Sequence, residues 1–237
     1  MRAACRLTAQ CMAVVAEMVR PGVTTAELDR AADAFIRDHG GVPSFMGYGG
    51  YPAAICTSVN DVVVHGIPDS RPLREGDIVG VDLGAYLNGY TGDMARTFAV
   101  GEVTPQVRKL LDVTQACFFA ALAVIKPGGR VGDIGHAVQT LAEGEGFSVV
   151  RDLCGHGVGQ SLHEEPEVPN FGRPGRGVRL EAGMTIAVEP MINEGTWRVS
   201  MNRDDSWNVR TADGKLSAHY EESLVVTSTG AEILTAP

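Results

Sequence analysis

Apolar residues recur at helical spacing from the start of the chain. Leu7, Cys11, Val14, Val15 and Met18 fall on one face of a helix that Pro21-Gly22 ends. Thr24 then caps a second helix, and Glu27, three positions on, completes a capping box. The apolar face of that helix reads Leu28, Ala31, Ala32 and Phe35, and Gly40 marks its stop. The pattern returns in mid-chain, where Thr104-Pro105 is a helix start with proline at the first helical position. RKLLDVTQACFFAALAVIKPG aligns with RAACRLTAQCMAVVAEMVRPG, so that Arg2 meets Arg108, Thr8 meets Thr114, Cys11 meets Cys117 and Pro21-Gly22 meets Pro127-Gly128. Ile134, Ala137, Val138 and Leu141 continue the register against the second helix.

The likeness runs on past the helices. VVVHGIP and QSLHEEP share His-x-x-Pro, while REGDIVGVD and EAGMTIAVE share a glycine, an apolar run and a terminal carboxylate. Segments 53–59, 78–85, 92–99, 184–190, 197–201, 206–210 and 217–227 are apolar or β-rich and bounded by Gly, Asn or Asp. Each half therefore reads helix, helix, then strands, which is α+β organisation and not βαβ alternation. One duplication of this length is not a solenoid period. The expectation is a single domain over 1–237 with an internal repeat, 1–103 and 104–237, forming two pseudo-symmetric halves.

Composition narrows the setting. At 237 residues, 44% hydrophobic and 21% charged, the chain can bury a sizeable core. Its net charge of −9 argues against non-specific binding to nucleic acid or to an anionic membrane. The five cysteines are odd in number, widely spaced and without C-x-x-C, so reduced thiols in the cytoplasm are expected. No apolar run approaches the roughly 18–20 residues of a membrane span, and the amphipathic start MRAACRLTAQCM lacks a signal core.

The candidate chemistry lies where strands should be dry. Asp82, Asp93, Glu189 and Glu221 each border an apolar strand. A buried carboxylate must be neutral, paired or bound to a metal. Pairing has few candidates: Arg96 for Asp93, and Arg198 or Arg203 for Glu189. The four acids also map in pairs across the repeat, Asp82 with Glu189 and Asp93 with Glu221, which favours two divalent cations at their centre. Carboxylate-bridged metals about 3.5–4 Å apart are a known hydrolytic device. Oxygen ligands with one imidazole favour Mn, Fe(II), Co or Zn. His156 is the candidate imidazole, with Gly155 and Gly157 expected to let the backbone turn sharply around it. His65 and His163 remain for substrate contact and proton transfer, and Glu164-Glu165 reads as supporting or solvent-facing.

SVNDVVVHGIP, VDLGAYLNGYTGDMARTF, GHGVGQSLHEEP, GMTIAVEPMIN and SAHYEESLVVT, in this order, resemble the blocks of type I methionine aminopeptidases, and the likeness covers nearly the whole chain. The resemblance implies the pita-bread (creatinase/aminopeptidase) fold, with helices outside a curved antiparallel sheet. It implies removal of the N-terminal methionine from nascent polypeptides, with a small second residue favoured. One metal would be held by Asp82, Asp93 and Glu221, the other by Asp93, His156, Glu189 and Glu221. His65 and His163 would contact the substrate, with His163 also stabilising the oxyanion, and Glu189 would accept and return the proton. Tyr48, Tyr51, Cys56 and Trp207 would line the methionine pocket. The implied partners are peptide N-termini and the ribosome; a monomer with no direct nucleic-acid contact is expected. Phe45 stands where bacterial members often have cysteine, Gly49 where histidine is common, and Leu162 where an aromatic is usual, so pocket shape is in question. Two rivals are a proline-specific relative, which differs after the glutamate of EPMIN, and a non-catalytic binding protein, which would have lost ligands.

Overall fold

The computed structural model describes residues 1–201 and 207–236. Helix α1 spans Arg2–Met18 and α2 spans Thr25–Asp38. The Thr24 hydroxyl accepts from Glu27 N and the Glu27 carboxylate accepts from Thr24 N, the reciprocal cap expected. Such a cap stabilises a helix by about 1 kcal/mol. The buried stripe of α2 is Leu28, Ala32 and Ile36, with Ala31 and Phe35 half-buried, so the packed face is turned from the one expected. Helices α3 (Pro105–Val124) and α4 (Val131–Gly144) form the second hairpin, with Ile134, Val138 and Ala142 as the corresponding stripe.

The two hairpins share interior detail. The Cys11 thiol donates to Ala32 O at 3.8 Å, and the Cys117 thiol donates to Val138 O at 3.7 Å. Thr8 and Thr114 each turn their hydroxyl back onto the carbonyl four residues earlier. Small side chains at these crossings let the helices close on each other.

Among the described residues, nine strands form the main antiparallel sheet. Its path runs Val42–Pro43, Ile78–Leu87, Tyr90–Ala99, Glu221–Val226, Thr185–Val188, Gly155–Gly157, Glu164–Val168. Ile55–Val59 adds to Ile78–Leu87, and Ala231–Ile233 adds to Glu221–Val226. Ile78–Leu87 and Tyr90–Ala99 form a hairpin in register from Ile78↔Ala99 to Leu87↔Tyr90. Asn88 and Gly89, at φ 52° and 86°, make the two-residue turn that suits the twist of such a hairpin. Glu221 pairs with Ala95 and Glu222 with Met94, and this seam joins the halves.

Each hairpin covers its own part of the sheet. Leu7, Cys11, Leu28 and Ile36 pack with Val79, Val81 and Leu83, while Leu110, Phe118 and Ile134 pack with Ile186, Val188 and Leu224. This is the α+β architecture expected, with helices outside a curled sheet. The expected segment 206–210 is observed as Val209–Thr211, and residue 206 lies outside the described residues.

The glycines around His156 also differ from expectation. Gly155–Gly157 is a strand, not a sharp turn. A Cβ at Gly155 would sit 2.3 Å from Ala187 O, and one at Gly157 would sit 2.2 Å from Glu165 O. The glycines are needed because neighbouring backbones approach closely on both sides.

Candidate metal centre

The sheet register gathers the acids. Asp82 lies mid-strand opposite Cys56 and Ala95; Asp93 is opposite Gly84 on the adjacent strand. Glu221 opens the strand paired to Ala95, and Glu189 follows Thr185–Val188 on that strand's other side. Asp93, Glu189 and Glu221 are buried, and Asp82 is half-buried with its Oδ1 enclosed. All four acids line one cavity of about 200 Å³, together with His65, His156 and His163.

Burial raises the cost of charging these groups. It pushes the Asp93 carboxyl up to about 7, against the counter-effect of His156. It also holds Asp82 and Glu221 well above the usual carboxylate range, reinforced in both by the charges on Asp93 and Glu189. Asp82 Oδ1 and Glu221 Oε1 are enclosed without a hydrogen-bond partner. Arg96 is not the counter-ion of Asp93: it pairs with Glu222, donates to Glu221 O at 2.8 Å and stacks on Tyr220. Arg198 stacks on Trp197 at 5.3 Å, not on Glu189, and Arg203 lies outside the described residues. Among the described residues no Lys or Arg forms an ion pair with the four acids.

The donor set fits divalent cations. His156 Nδ1 lies 2.8 Å from Gly157 O; because a carbonyl only accepts, Nδ1 carries the proton and the Nε2 lone pair is left for the cavity. That Nε2 is 3.7 Å from Asp93 Oδ2 and 3.6 Å from Glu189 Oε1. An ion about 2.0–2.2 Å from each atom would span these separations. Asp93, His156 and Glu221 form one group with ligand atoms within 4.8 Å of one another, and Glu189, His219 and Glu221 form another.

Supporting contacts that sequence reasoning missed fix the acids in place. The Ser223 hydroxyl accepts from Asp93 N at 3.0 Å and donates to Asp93 O at 2.8 Å. Buried Asn170 donates to Glu189 O at 2.9 Å. Glu164 is exposed and accepts from Ser161 N at 2.8 Å across the turn that carries His163. His219 was also missed, although the two-residue period of extended chain places it on the side of Glu221.

The other end of the cavity is apolar. Phe45, Tyr51, Cys56 and Leu162 are buried together, with Trp207 packed against them. The Tyr51 hydroxyl donates to Gly66 O at 2.8 Å, and its ring meets Trp207 edge-on at 5.1 Å. Tyr48 is more exposed and sits at the His163 side, its hydroxyl 2.7 Å from His163 Nδ1. Desolvation, then His156, lowers His163 to about 4 although one edge reaches solvent; burial also lowers His65. His65 itself holds φ 60°, a left-handed conformation uncommon for a side chain of its size. Gly66 beside it fixes that turn, since a Cβ there would be 2.1 Å from Thr57 O. All eleven predicted site residues thus converge on this one cavity.

The sequence matches the metallopeptidase family M24 over residues 1–228. It is 50% identical over 236 residues to a methionine aminopeptidase of Clostridium acetobutylicum, spanning 99% of this chain and 94% of that one. The crystal structure of methionine aminopeptidase from Rickettsia prowazekii superposes with a TM-score of 0.98 at 42% identity, over 99% of this chain and 95% of the other. Prolidase from Pyrococcus furiosus superposes at 0.79 with 21% identity, over all of this chain and 62% of that one, and so shares the fold alone. The curled sheet with its outer helices is the pita-bread fold of these proteins. With acids and imidazole arranged for metal-assisted hydrolysis, the chain belongs to the methionine aminopeptidases of metallopeptidase family M24.

Proposed function

We propose that this metallo-exopeptidase releases the N-terminal methionine of nascent polypeptides using two divalent cations. Asp82, Asp93 and Glu221 would hold one, and Asp93, His156, Glu189 and Glu221 would hold the other. The observation that carries this reading is the acid cluster, without a Lys or Arg counter-ion among the described residues and with two enclosed, unpartnered oxygens, at one end of a cavity whose other end is apolar. Divalent cations held by these residues would supply Lewis-acid polarisation of a carbonyl and would lower the pKa of water toward neutrality. Co, Mn, Fe(II) and Zn all suit this donor set.

The remaining steps fall to the chain's own side chains. The substrate's free N-terminal amine, uncharged, would bind at the metal centre, which would restrict cleavage to the first peptide bond. The pocket of Phe45, Tyr51, Cys56, Leu162 and Trp207 suits methionine's unbranched, polarizable side chain. Glu189, close to His156, accepts the proton from water and returns it to the leaving amine. A neutral His163, its Nδ1 taking a hydrogen bond from Tyr48, offers Nε2–H to the oxyanion. His65, which also lines the cavity, contacts the substrate. A small second residue is favoured, and Tyr48 and His163, whose rings lie 5.1 Å apart on the cavity lining, would flank it.

Among the described residues no helix is long and apolar enough to cross a membrane. A monomer acting in the cytoplasm on chains leaving the ribosome is the proposed setting. The test is metal-reconstituted hydrolysis of Met-Ala, Met-Pro and Xaa-Pro peptides beside a calorimetric metal titration. Methionine release with two ions bound is expected. Faster Xaa-Pro hydrolysis, or fewer than two ions, overturns the reading.

A further inference from the structure

His219 has no part in the ligand sets above, yet it is buried against one of their members. Its Nε2 is enclosed and makes no hydrogen bond, with Glu189 Oε2 at 3.4 Å. The other oxygen of the same carboxylate, Oε1, lies 3.6 Å from His156 Nε2. Glu189 is therefore flanked by two imidazoles, one at each oxygen. Their backbones are held differently from a loop's. His219 N donates to Thr97 Oγ1 at 2.8 Å and its carbonyl accepts from the same hydroxyl at 2.9 Å, while His219 pairs with Met191 across an antiparallel ladder. The Glu189 carbonyl is fixed by Asn170.

We propose that His219 is a positioning residue for Glu189. With Glu189 Oε2 at 3.4 Å, a small rotation would let the His219 Nε2–H donate to that oxygen, leaving Oε1 free on the side of His156. This rests on the dinuclear reading above and adds a specific job to it. A glutamate side chain has three rotatable bonds, and Asn170 restrains only its backbone. A donor at Oε2 removes the remaining freedom and opposes bidentate binding. It also leaves Oε1 with one orientation from which to serve as ligand and proton acceptor. Hydrogen-bond partners of metal-ligating side chains typically matter by about 10–100-fold in metal affinity or activity.

The competing role is direct ligation, since His219, Glu189 and Glu221 also bring ligand atoms within 4.8 Å of one another. Glutamine separates the two, because its amide keeps a donor but is a poor ligand for these metals. The experiment uses the full chain in wild-type form and as His219→Gln and His219→Leu. It reads metal binding by calorimetry, the visible spectrum of the Co(II)-loaded protein, and kcat and KM on a Met-Ala peptide. Expected for His219→Leu is a loss of about 10–100-fold in affinity at one of two sites, an altered Co(II) spectrum, and lower kcat at unchanged KM. His219→Gln should restore affinity and spectrum. If the leucine variant does not fold, His219→Ala replaces it. Wild-type affinity at both sites in the donor-free variant overturns the proposal, and so does a glutamine variant as impaired as leucine, which would make His219 a ligand. Fewer than two ions on the wild-type chain would instead overturn the dinuclear reading, and this inference with it.

Discussion

The two ends of the cavity are built by different means. The acid end stands on strands, where ladder register fixes every carboxylate: Asp82 and Asp93 on one hairpin, Glu221 across the seam from Ala95, and Glu189 at the end of the next strand. The apolar end draws Phe45, Tyr51, Leu162 and Trp207 from connecting segments, with Cys56 alone on a strand of the main sheet. Backbone hydrogen bonding holds the chemistry in one geometry, whereas irregular segments shape the pocket and are freer to vary. Substitutions at the acid end should therefore act nearly all-or-none, and those at the apolar end by degrees.

Asp93→Asn tests the first half of that contrast and should have the largest effect. Asp93 is proposed to bridge both cations, so methionine release should fall by roughly 10³-fold or more, as when one member of a unit is removed. The amide is isosteric, and the Ser223 clasp on the Asp93 backbone stays. Without metal the variant should melt no lower than wild type, because it removes a carboxyl that burial already pushes up to about 7. Loss of activity together with loss of fold would point to a structural role instead.

Stability against pH is the next largest expected effect. Asp82, Asp93 and Glu221 all have raised folded-state values. Above about pH 4 an unfolded chain has released these protons while the folded chain still binds them. The unfolded state then binds fewer protons, so stability falls as pH rises, through about 7 for Asp93. Below about pH 6.5 the lowered His163 and His65 oppose this trend, so in chelator the melting midpoint should be higher at pH 7 than at pH 8, by roughly 2–4 °C for each kcal/mol lost in a chain of this size. Divalent ions compete with protons and should give their largest rise in midpoint at pH 8. A flat profile in chelator would mean that the acids find other partners.

Between the two ends lies the Tyr48–His163 contact, and its removal should have an intermediate effect. Tyr48→Phe deletes the hydroxyl 2.7 Å from His163 Nδ1 while keeping the ring against it. A hydrogen bond between neutral groups is worth about 0.5–1.5 kcal/mol, so kcat/KM on Met-Ala peptides should fall by about 2–10-fold with metal affinity unchanged. An unchanged rate would separate His163 from the proposed oxyanion contact.

What was legible in the sequence follows the same division. A carboxylate at the border of an apolar run is a local signal, so all four acids could be found, and the helix starts at Thr24 and Thr104 were local as well. Roles that depend on what lies across a strand could not be read. Gly155–Gly157 looked like a turn because glycine's conformational freedom is a local property, whereas the approach of Ala187 O and Glu165 O is not. Arg96 was matched to nearby Asp93, but the seam delivers Glu222 to it from the far half of the chain. His219 went unnoticed because its importance comes from Glu189 on a separate strand. The face of α2 was misplaced toward Phe35 because the choice between Phe35 and Ile36 is made by the surface they pack against.

The smallest effects belong to the apolar end. Leu162 is 6% exposed within the cluster of Phe45, Tyr51 and Cys56. Leu162→Ala should enlarge the pocket and weaken discrimination between methionine and bulkier first residues, since a methylene in such a pocket is worth about 1–3 kcal/mol. Gly49 should matter less. It holds φ +54°, and a Cβ there would lie 3.2 Å from the Trp207 ring, so the ring edge must give by a few tenths of an ångström. The left-handed backbone adds about 1–2 kcal/mol for any side chain. Gly49→Ala should therefore lower the melting midpoint modestly, shift tryptophan fluorescence, and raise KM for Met-Ala while leaving kcat and metal affinity as they are. A fall in kcat would show that the two ends are mechanically linked, and that the pocket wall helps to set the position of the acids.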